Sequence, residues 1–241
     1  MMPIVVARRL EDGSIGAGIG AGMVINEDGW FVTAGHILLE VAALEQTVSN
    51  PKSYDGPKGK RATHYGAMFG THAGLSKALV QKEVDLGVGK LEGYHPPDGH
   101  VIPRFRDHQV EQGELLCRIG FPFVDDPGTK WDKAKGFTFT NLFPIPTFVN
   151  EALVSRFGQL DSGLWIETSS PGLIGQSGGP LADTYGLICG IQVNTHHYPL
   201  GFSGNAQNQT MNVGRAVHVD TVKTFLNEHG IAHHTEGKND G

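Results

Sequence analysis

The segment Gly175-Gln176-Ser177-Gly178-Gly179-Pro180 places a serine among glycines, on what we expect to be a tight backbone turn. Glycine lacks a Cβ atom, so another group can approach the backbone of such a turn closely. Gly175 and Ser177 can therefore direct two backbone N–H groups at one point, an arrangement that stabilises an oxyanion. Apolar runs at 164–168 and 187–193 flank the segment and predict that it connects two strands.

The surroundings of Ser177 argue against the strand-to-helix elbow that presents the nucleophile in α/β hydrolases. Pro180 follows the motif at once, and a second strand rather than a helix is predicted soon after it. The simpler alternative is a glycine-rich loop in which Ser177 has no chemical role. A base and a carboxylate elsewhere in the sequence would favour a chemical role for Ser177 over the simpler alternative.

A base and a carboxylate are the partners that a serine hydroxyl needs before it can act as a nucleophile. His36 ends the segment Thr33-Ala34-Gly35-His36, directly after the apolar run 30–32. Asp85 is a lone carboxylate in Val84-Asp85-Leu86-Gly87-Val88, which we predict to be a strand. Each residue also has a structural interpretation: His36 could be a core histidine at a strand end, and Asp85 a capping or ion-paired group.

Together, Thr-Ala-Gly-His, an aspartate in an apolar segment and Gly-x-Ser-Gly-Gly-Pro, in this order along the chain, resemble the chymotrypsin-fold (trypsin-like) serine peptidases. Residues 20–36 and Ile119-Gly120-Phe121-Pro122 are similar to the HtrA/Deg branch in particular. The resemblance covers about residues 14–45, 83–91 and 114–230. No segment remains for a PDZ domain, so we expect this chain to lack one.

An all-β fold is indicated by the composition, because 34 glycines and 13 prolines without a period suggest many turns between short strands. The resemblance implies two six-stranded antiparallel β-barrels, a chymotrypsin-like double barrel, followed by a C-terminal helix. We expect the barrel with the histidine and the aspartate at 1–100. The barrel with the serine, and the helix, are expected at 101–232. Residues 233–241 lack apolar side chains and are predicted to be a disordered tail.

Local patterns predict several elements around these motifs. Residues 4–10 are predicted to be the first strand, 13–22 a loose glycine loop and 37–44 a short helix. The final helix is predicted to run from a cap at Asp220 to Gly230. Its buried face is expected to carry Val222, Phe225 and Leu226.

By the resemblance, His36 would act as the general base, Asp85 would orient its imidazole, and Ser177 would form an acyl-enzyme. The N–H groups of Gly175 and Ser177 would bind the oxyanion. The chain is therefore expected to be a serine endopeptidase with a polypeptide substrate and no cofactor or metal. Two alternatives remain open: a catalytically silent module that binds peptides or proteins on the same fold, and an esterase that uses the same three residues.

Two positions depart from the pattern of the secreted digestive members. Gln176 stands where those enzymes carry the aspartate that receives a newly cut N-terminus, so we expect no activation cleavage. Pro171 stands where trypsin has an acidic residue, which argues against a preference for Lys or Arg. The walls of the substrate pocket are predicted to accept apolar or small side chains and to come from Pro171, Gly172, Leu173, Ile174, Gln192, Val193, Asn194 and Thr195.

The charge and the cysteines limit the partners and the compartment. A formal net charge of −6 argues against a nucleic-acid surface, which needs clustered Lys and Arg. No stretch approaches the roughly 20 apolar residues of a membrane helix, and the N-terminus is unlike a signal peptide. Cys117 and Cys189 lie in apolar runs and are predicted to be buried, unpaired thiols. These features fit a cytoplasmic protein; no oligomeric state is predicted.

Overall fold

The computed structural model describes residues 1–72, 74–124, 128–140, 144–199 and 210–237. The first strands are β1 (Met2–Leu10), β2 (Ile15–Val24), β3 (Trp30–Ala34), β4 (Ala62–Phe69), β5 (Leu75–Gln81) and β6 (Leu86–Leu91). The later strands are β7 (Arg104–Phe105), β8 (Leu115–Gly120), β9 (Thr129–Asp132), β10 (Gly136–Phe139), β11 (Phe148–Leu160), β12 (Gly163–Thr168), β13 (Pro180–Ala182), β14 (Ile188–Pro199), β15 (Thr210–His218) and β16 (His234–Thr235). The helices are α1 (Gly35–Ser49) and α2 (Val219–Glu228), with short 3-10 helices at Pro51–Ser53 and Lys82–Val84.

The N-terminal sheet has, within the described residues, six antiparallel strands in the order β4-β1-β2-β3-β6-β5. In this part of the chain the edge strands β4 and β5 do not pair with each other, so the sheet is a half-barrel. Helix α1 contacts both edge strands and β6, with Leu38 and Leu44 buried beneath it. The helix begins at Gly35 and ends at Ser49, so it is longer than the segment predicted from the sequence.

The C-terminal sheet closes into a barrel. Its main strands, as far as the structure describes them, follow the order β13-β8-β11-β12-β15-β14, and β13 pairs back onto β14. Strands β7 and β16 extend the sheet beyond β14 by parallel pairing. Helix α2 packs against β12, β14 and β15 and buries Val222, Phe225 and Leu226, as predicted. The predicted fold class, a β-rich double-barrel architecture with a C-terminal helix, is confirmed.

A single apolar cluster joins the two sheets. Phe31 and Leu86 of the N-terminal sheet, and Ile166 and Ile191 of the C-terminal sheet, expose no surface. Burying one side chain of this size contributes about 1.5–3 kcal/mol. Strands β3 and β14 contact each other across the same interface. The end of β3, which His36 follows, is therefore held against the C-terminal barrel.

The glycine loop predicted at 13–22 is wrong, because Ile15–Val24 form strand β2 between β1 and β3. Pairing with β1 along residues 15–22, and with β3 at residues 22–24, overrides the low strand propensity of glycine. A Cβ atom at Gly20 would lie 2.4 Å from the side chain of Ile37 and 3.2 Å from the carbonyl oxygen of Ser177. Glycine at this position lets helix α1 and the serine turn approach β2 closely.

Two predictions near the C-terminus also differ from the structure. The N-cap of α2 is His218 rather than Asp220, because the imidazole of His218 accepts a hydrogen bond from the backbone N–H of Asp220 at 3.1 Å. The predicted disorder does not hold for His234–Thr235, which pair with β7. Residues 238–241 of the predicted tail lie outside the described residues.

Three features of the described residues concern membrane spanning, metal binding and disulfide bonds. Neither of the α-helices found there has the length and apolar character that crossing a bilayer requires. No three His, Cys, Asp or Glu side chains in these ranges are grouped so that they could hold a metal ion. Both cysteines are free, as predicted: Cys189 is buried, whereas Cys117 is half-buried.

Candidate active site

Asp85 and His36 meet at the end of β3. The sequence predicted Asp85 to lie in a strand, and this is wrong. Asp85 follows the 3-10 helix Lys82–Val84 in a left-handed conformation with φ 59°. Its carbonyl oxygen accepts the N–H of Gly35 at 2.7 Å, and one carboxylate oxygen accepts the backbone N–H of His36 at 2.6 Å. The other carboxylate oxygen lies 2.8 Å from Nδ1 of His36. Aspartate tolerates the left-handed region better than most residues. In this conformation Asp85 makes three hydrogen bonds to Gly35 and His36, which fix its position relative to the histidine.

The carboxylate determines which nitrogen of His36 is free. An ionised carboxylate only accepts hydrogen bonds, so in the neutral imidazole Nδ1 carries the proton and Nε2 keeps its lone pair. The hydrogen bond that Nδ1 of His36 donates to Asp85 raises the pKa of His36 above its ordinary value of 6.5, although burial opposes the shift. The negative charges of Asp85 and Glu40 raise this pKa further. The His36 side chain is 49% exposed, so it remains accessible to a substrate.

Ser177 lies in a turn that requires glycine at two positions. Gly175 has φ +95°, and a Cβ atom there would lie 2.3 Å from the carbonyl oxygen of Phe121. Gly178 has φ +86°, and its Cβ atom would lie 2.0 Å from the carbonyl oxygen of Ala21. The carbonyl oxygen of Ser177 accepts the N–H of Ala21 at 2.8 Å. The turn belongs to the C-terminal barrel but is bonded directly to β2 of the N-terminal sheet.

The N–H groups of Gly175 and Ser177 are the two donors that the sequence predicts to bind an oxyanion. Within the ranges that the structure describes, neither donates to a backbone carbonyl oxygen. Other groups anchor the turn: the carbonyl oxygen of Gly175 accepts the N–H of Phe121 at 2.9 Å, and Gly178 donates to the carbonyl oxygen of Gln192 at 2.7 Å. The turn is therefore held without using the two N–H groups that an oxyanion would need.

The hydroxyl of Ser177 donates to the carbonyl oxygen of Val193 at 3.2 Å. Val193 is the extra residue of a β-bulge, because the pairing of β14 with β15 passes from Gln192 to Asn194. A bulge residue leaves the regular ladder, so its carbonyl oxygen is free to accept this hydroxyl. In the described part of the chain, Ser177 and His36 are not joined by a hydrogen bond.

The three predicted catalytic residues lie along one seam between the sheets. A Cβ atom on Gly178 would come within 2.9 Å of the backbone nitrogen of Ala34, which is two residues before His36. Asp85 and Val193 line the same cavity of about 80 Å³. The serine turn thus packs on the strand end that presents the histidine, and Val193, the acceptor of the Ser177 hydroxyl, borders the space next to the aspartate.

Gln176 fills the space beneath the serine turn and exposes no surface. Its Nε2 donates to Oδ1 of Asn150 at 2.6 Å, and its Oε1 accepts the N–H of Leu173 at 2.9 Å. An amide that is bonded at both ends avoids the penalty of an unsatisfied buried polar group. The sequence did not point to Asn150, because this contact reaches across from β11.

The two segments predicted to form the pocket walls touch each other. The hydroxyl of Thr195 donates to the carbonyl oxygen of Gly172 at 2.7 Å, and Nε2 of Gln192 donates to the carbonyl oxygen of Asn194 at 2.6 Å. A Cβ atom at Gly172 would lie 2.4 Å from Nε2 of Gln192. Ile174 is 90% exposed and points into solvent rather than towards these segments. The two segments are therefore in direct contact at Gly172.

Arg118 on β8 is a buried charge beside these walls that the sequence analysis did not single out. It exposes no surface, and burial lowers its pKa to about 10, so the guanidinium stays protonated at neutral pH. The guanidinium donates hydrogen bonds to Oε1 of Gln192, the carbonyl oxygen of Pro171, the hydroxyl and carbonyl oxygens of Ser170, and the hydroxyl of Thr168. The signal for it was the alternation along β8, which puts Arg118 on the same inward face as Leu116 and Gly120.

Comparison with known structures gives a serine endoprotease from Yersinia pestis with a TM-score of 0.50 and 17% sequence identity. The alignment covers 94% of this chain and 62% of that protein, so this chain spans less than two thirds of its length. At this identity the likeness concerns the fold. A comparison with curated protein sequences gives no match.

The sequence itself matches a family model. Residues 20–191 match the trypsin-like peptidase domain, and this segment is more than half of the chain. It includes His36, Asp85 and Ser177, together with the seam on which they lie. The chain therefore belongs to the family of trypsin-like peptidase domains.

Proposed function

We propose that this protein is a serine endopeptidase that hydrolyses polypeptides through His36, Asp85 and Ser177. The observation that carries the proposal is the His36–Asp85 pair, whose carboxylate bonds both the backbone and the ring of the histidine. A histidine held in this way has the tautomer that a general base needs. The serine turn packs against the same strand end, and membership in a peptidase family supports a polypeptide substrate.

In the proposed reaction the Ser177 hydroxyl first leaves the carbonyl oxygen of Val193 and turns towards Nε2 of His36. The histidine takes the proton as the oxygen attacks the carbonyl carbon of the scissile peptide bond. The resulting oxyanion accepts hydrogen bonds from the N–H groups of Gly175 and Ser177, and each such donor contributes about 3–4 kcal/mol in other hydrolases.

Collapse of this tetrahedral intermediate breaks the C–N bond and leaves an acyl-enzyme on Ser177. The protonated His36 gives its proton to the departing amine. A water molecule then attacks the ester, again with His36 as base, and a second tetrahedral intermediate releases the acid and restores the serine. Throughout these steps the ionised Asp85 stabilises the imidazolium of His36.

The proposed site needs no activation cleavage. The position before Ser177 is an amide that is fully buried and bonded to Asn150 and Leu173. These neutral bonds hold the serine turn from inside the protein, so no newly formed, charged N-terminus has to enter. This supports a site that is competent as the chain folds.

Covalent labelling by a fluorophosphonate tests the proposal. We expect the label on Ser177 by mass spectrometry, and we expect Ser177→Ala and His36→Ala to abolish it. His95→Ala, which changes an exposed loop histidine, serves as the matched control and should label as fast as the wild type. Unlabelled wild-type protein, or equal labelling of His36→Ala and His95→Ala, would exclude the mechanism.

A silent binding module is the second candidate, and the bond between the Ser177 hydroxyl and Val193 favours it. If the hydroxyl stays there, the protein would bind peptides without turnover. Binding of peptides by an unlabelled wild type would support this candidate. An esterase that uses the same three residues is distinguished by comparing matched ester and amide substrates, since an endopeptidase hydrolyses both.

A further inference from the structure

Arg118 places a positive charge directly behind the predicted substrate pocket. Its guanidinium donates to the carbonyl oxygen of Pro171 at 2.8 Å and to Oε1 of Gln192 at 2.8 Å, so it touches both predicted walls. A Cβ atom at Gly214 would lie 2.3 Å from its Nη2, which means that a glycine in β15 makes room for the guanidinium. The guanidinium of Arg118 thus lies behind both predicted wall segments, 171–174 and 192–195, and next to Gly214 of β15.

No carboxylate balances this charge in the described part of the chain. The oxygens that accept from Arg118 are neutral: two backbone carbonyls, two hydroxyls and one side-chain amide. Glu167, the residue before Thr168, is instead bonded to both Arg156 and Arg215. Glu151 is exposed and offers only its carbonyl oxygen, to the hydroxyl of Ser170. A buried charge without an opposite charge beside it is costly even when it is hydrogen-bonded, so Arg118 is suited to a ligand of opposite charge.

The residues that accept hydrogen bonds from the guanidinium on one side are themselves partly exposed. Ser170, Pro171 and Gly172 are half-buried, and the first two of them accept hydrogen bonds from Arg118. The longest of the five hydrogen bonds, at 3.2 Å, joins Nη1 to the hydroxyl of Ser170. That hydroxyl also donates to Glu151 at 2.5 Å, so it keeps a partner when Nη1 turns to another acceptor. A carboxylate can therefore replace the hydroxyl of Ser170 on the guanidinium.

We propose that Arg118 makes the floor of the substrate pocket positive and selects aspartate or glutamate immediately before the scissile bond. This inference rests on the proposed function. Pro171, at the position where trypsin has an acidic residue, gives its carbonyl oxygen to a buried arginine. The pocket is therefore built with the opposite charge preference from that of trypsin. This preference differs from the apolar or small side chains expected from the sequence, because that expectation did not include Arg118.

Internally quenched peptides that differ only at this residue test the proposal. The decisive pairs are Asp with Asn and Glu with Gln, because each pair has nearly the same shape and differs in charge. We expect kcat/KM of the wild type to favour the acid in both pairs by about tenfold or more, as desolvated charge pairs do elsewhere. Equal cleavage within both pairs, or faster cleavage after leucine or lysine, would overturn the proposal.

Variants of Arg118 assign the preference to this residue. Arg118→Met should abolish it, whereas Arg118→Lys keeps the charge and should retain part of it. Lys58→Gln changes the net charge equally at an exposed side chain, and it should leave the preference unchanged. An acid preference that survives in folded Arg118→Met would refute the assignment. If that variant does not fold, the wild-type pairs and Arg118→Lys still decide the question.

The experiment separates failure of this inference from failure of the proposed function. If the fluorophosphonate labels Ser177 and the peptides are cleaved without an acid preference, only the role of Arg118 fails. If there is neither labelling nor cleavage, the peptidase proposal fails. Calorimetry with Ser177→Ala then compares product-like peptides that end in Asp or Asn. Tighter binding of the Asp peptide would support the positive pocket, and equal binding would overturn it.

Discussion

Replacing Asp85 by asparagine is expected to remove most of the activity while the fold remains. Both carboxylate oxygens accept hydrogen bonds, one from the backbone N–H of His36 at 2.6 Å and one from its Nδ1 at 2.8 Å. Asparagine has one acceptor oxygen and one NH₂ group, so it cannot accept both. When the oxygen stays on the backbone N–H, the NH₂ group faces Nδ1. The proton of the ring then moves to Nε2, the atom that has to accept the proton of Ser177.

The expected loss is about 10⁴-fold in kcat, as for the same change in another Ser-His-Asp triad. At about 1.4 kcal/mol per factor of ten, this corresponds to about 5 kcal/mol of lost transition-state stabilisation. The pKa of His36 should fall as well, because the hydrogen bond and the charge of Asp85 are what raise it. The two effects have one cause and should appear together.

The assay is kcat/KM against pH for the wild type, Asp85→Asn and Asp98→Asn. Asp98 is an exposed loop carboxylate, so its variant controls for the loss of one negative charge. NMR titration of the His36 ring, with Ser177→Ala added to keep the protein inactive, follows the pKa separately. Wild-type activity of Asp85→Asn near neutral pH, or an unchanged pKa of His36, would refute the role given to Asp85.

Three further changes test other parts of the site. Activity should rise with pH as His36 loses its proton, with a midpoint above 6.5 because Asp85 raises this pKa; a pH–rate profile that stays flat down to about pH 5 would contradict a catalytic base. Because the pKa of His36 is raised in the folded state, the protonated histidine stabilises the fold fully below about pH 6.5, and this stabilisation is lost as the pH rises through the pKa of His36 in the folded protein. The melting temperature of the wild type, relative to that of Asp85→Asn, should therefore fall as the pH rises through these two pKa values. Gly178→Ala should destabilise the fold by more than about 2 kcal/mol, because its Cβ would lie 2.0 Å from a carbonyl oxygen. Gly186→Ala is the control, because Gly186 also has a positive φ but open space around it, and it should cost only about 1–2 kcal/mol for the left-handed backbone. Equal melting temperatures for Gly178→Ala and Gly186→Ala would show that the predicted clash at Gly178 is relieved. Gln176→Ala should cost about 1–3 kcal/mol by leaving buried partners unsatisfied, measured by urea unfolding, and unchanged stability would mean that water replaces the amide.

The strand pattern shows how far local sequence reaches in this protein. Alternation and the turn glycines were sufficient for the strands around Ser177 and for the buried face of α2. The same reasoning failed for Ile15–Val24, because this glycine-rich strand is stabilised by pairing with β1, and with β3 at its end, and not by its own propensity. It also placed Asp85 in a strand, whereas a left-handed turn precedes β6.

The predicted pocket shows more clearly that local sequence does not reveal contacts between distant segments. Each wall segment could be proposed from its distance to Ser177 along the chain. The alternation along β8 places Arg118 on the inward face but does not show that it reaches the walls, because its contacts with Pro171 and Gln192 exist only once the barrel is closed. The exposure of Ile174 likewise depends on how the loop before the serine turn folds.

The sequence by itself determined the class of fold and the three residue types of the proposed chemistry, because a serine turn, a base and a carboxylate need particular side chains in particular local settings. Only the tertiary structure decided which atoms meet: the carboxylate of Asp85 on Nδ1 of His36, the hydroxyl of Ser177 on Val193, and the guanidinium of Arg118 behind the pocket. Those contacts join residues far apart in the chain, and no local preference encodes the packing of two sheets that brings them within hydrogen-bonding distance.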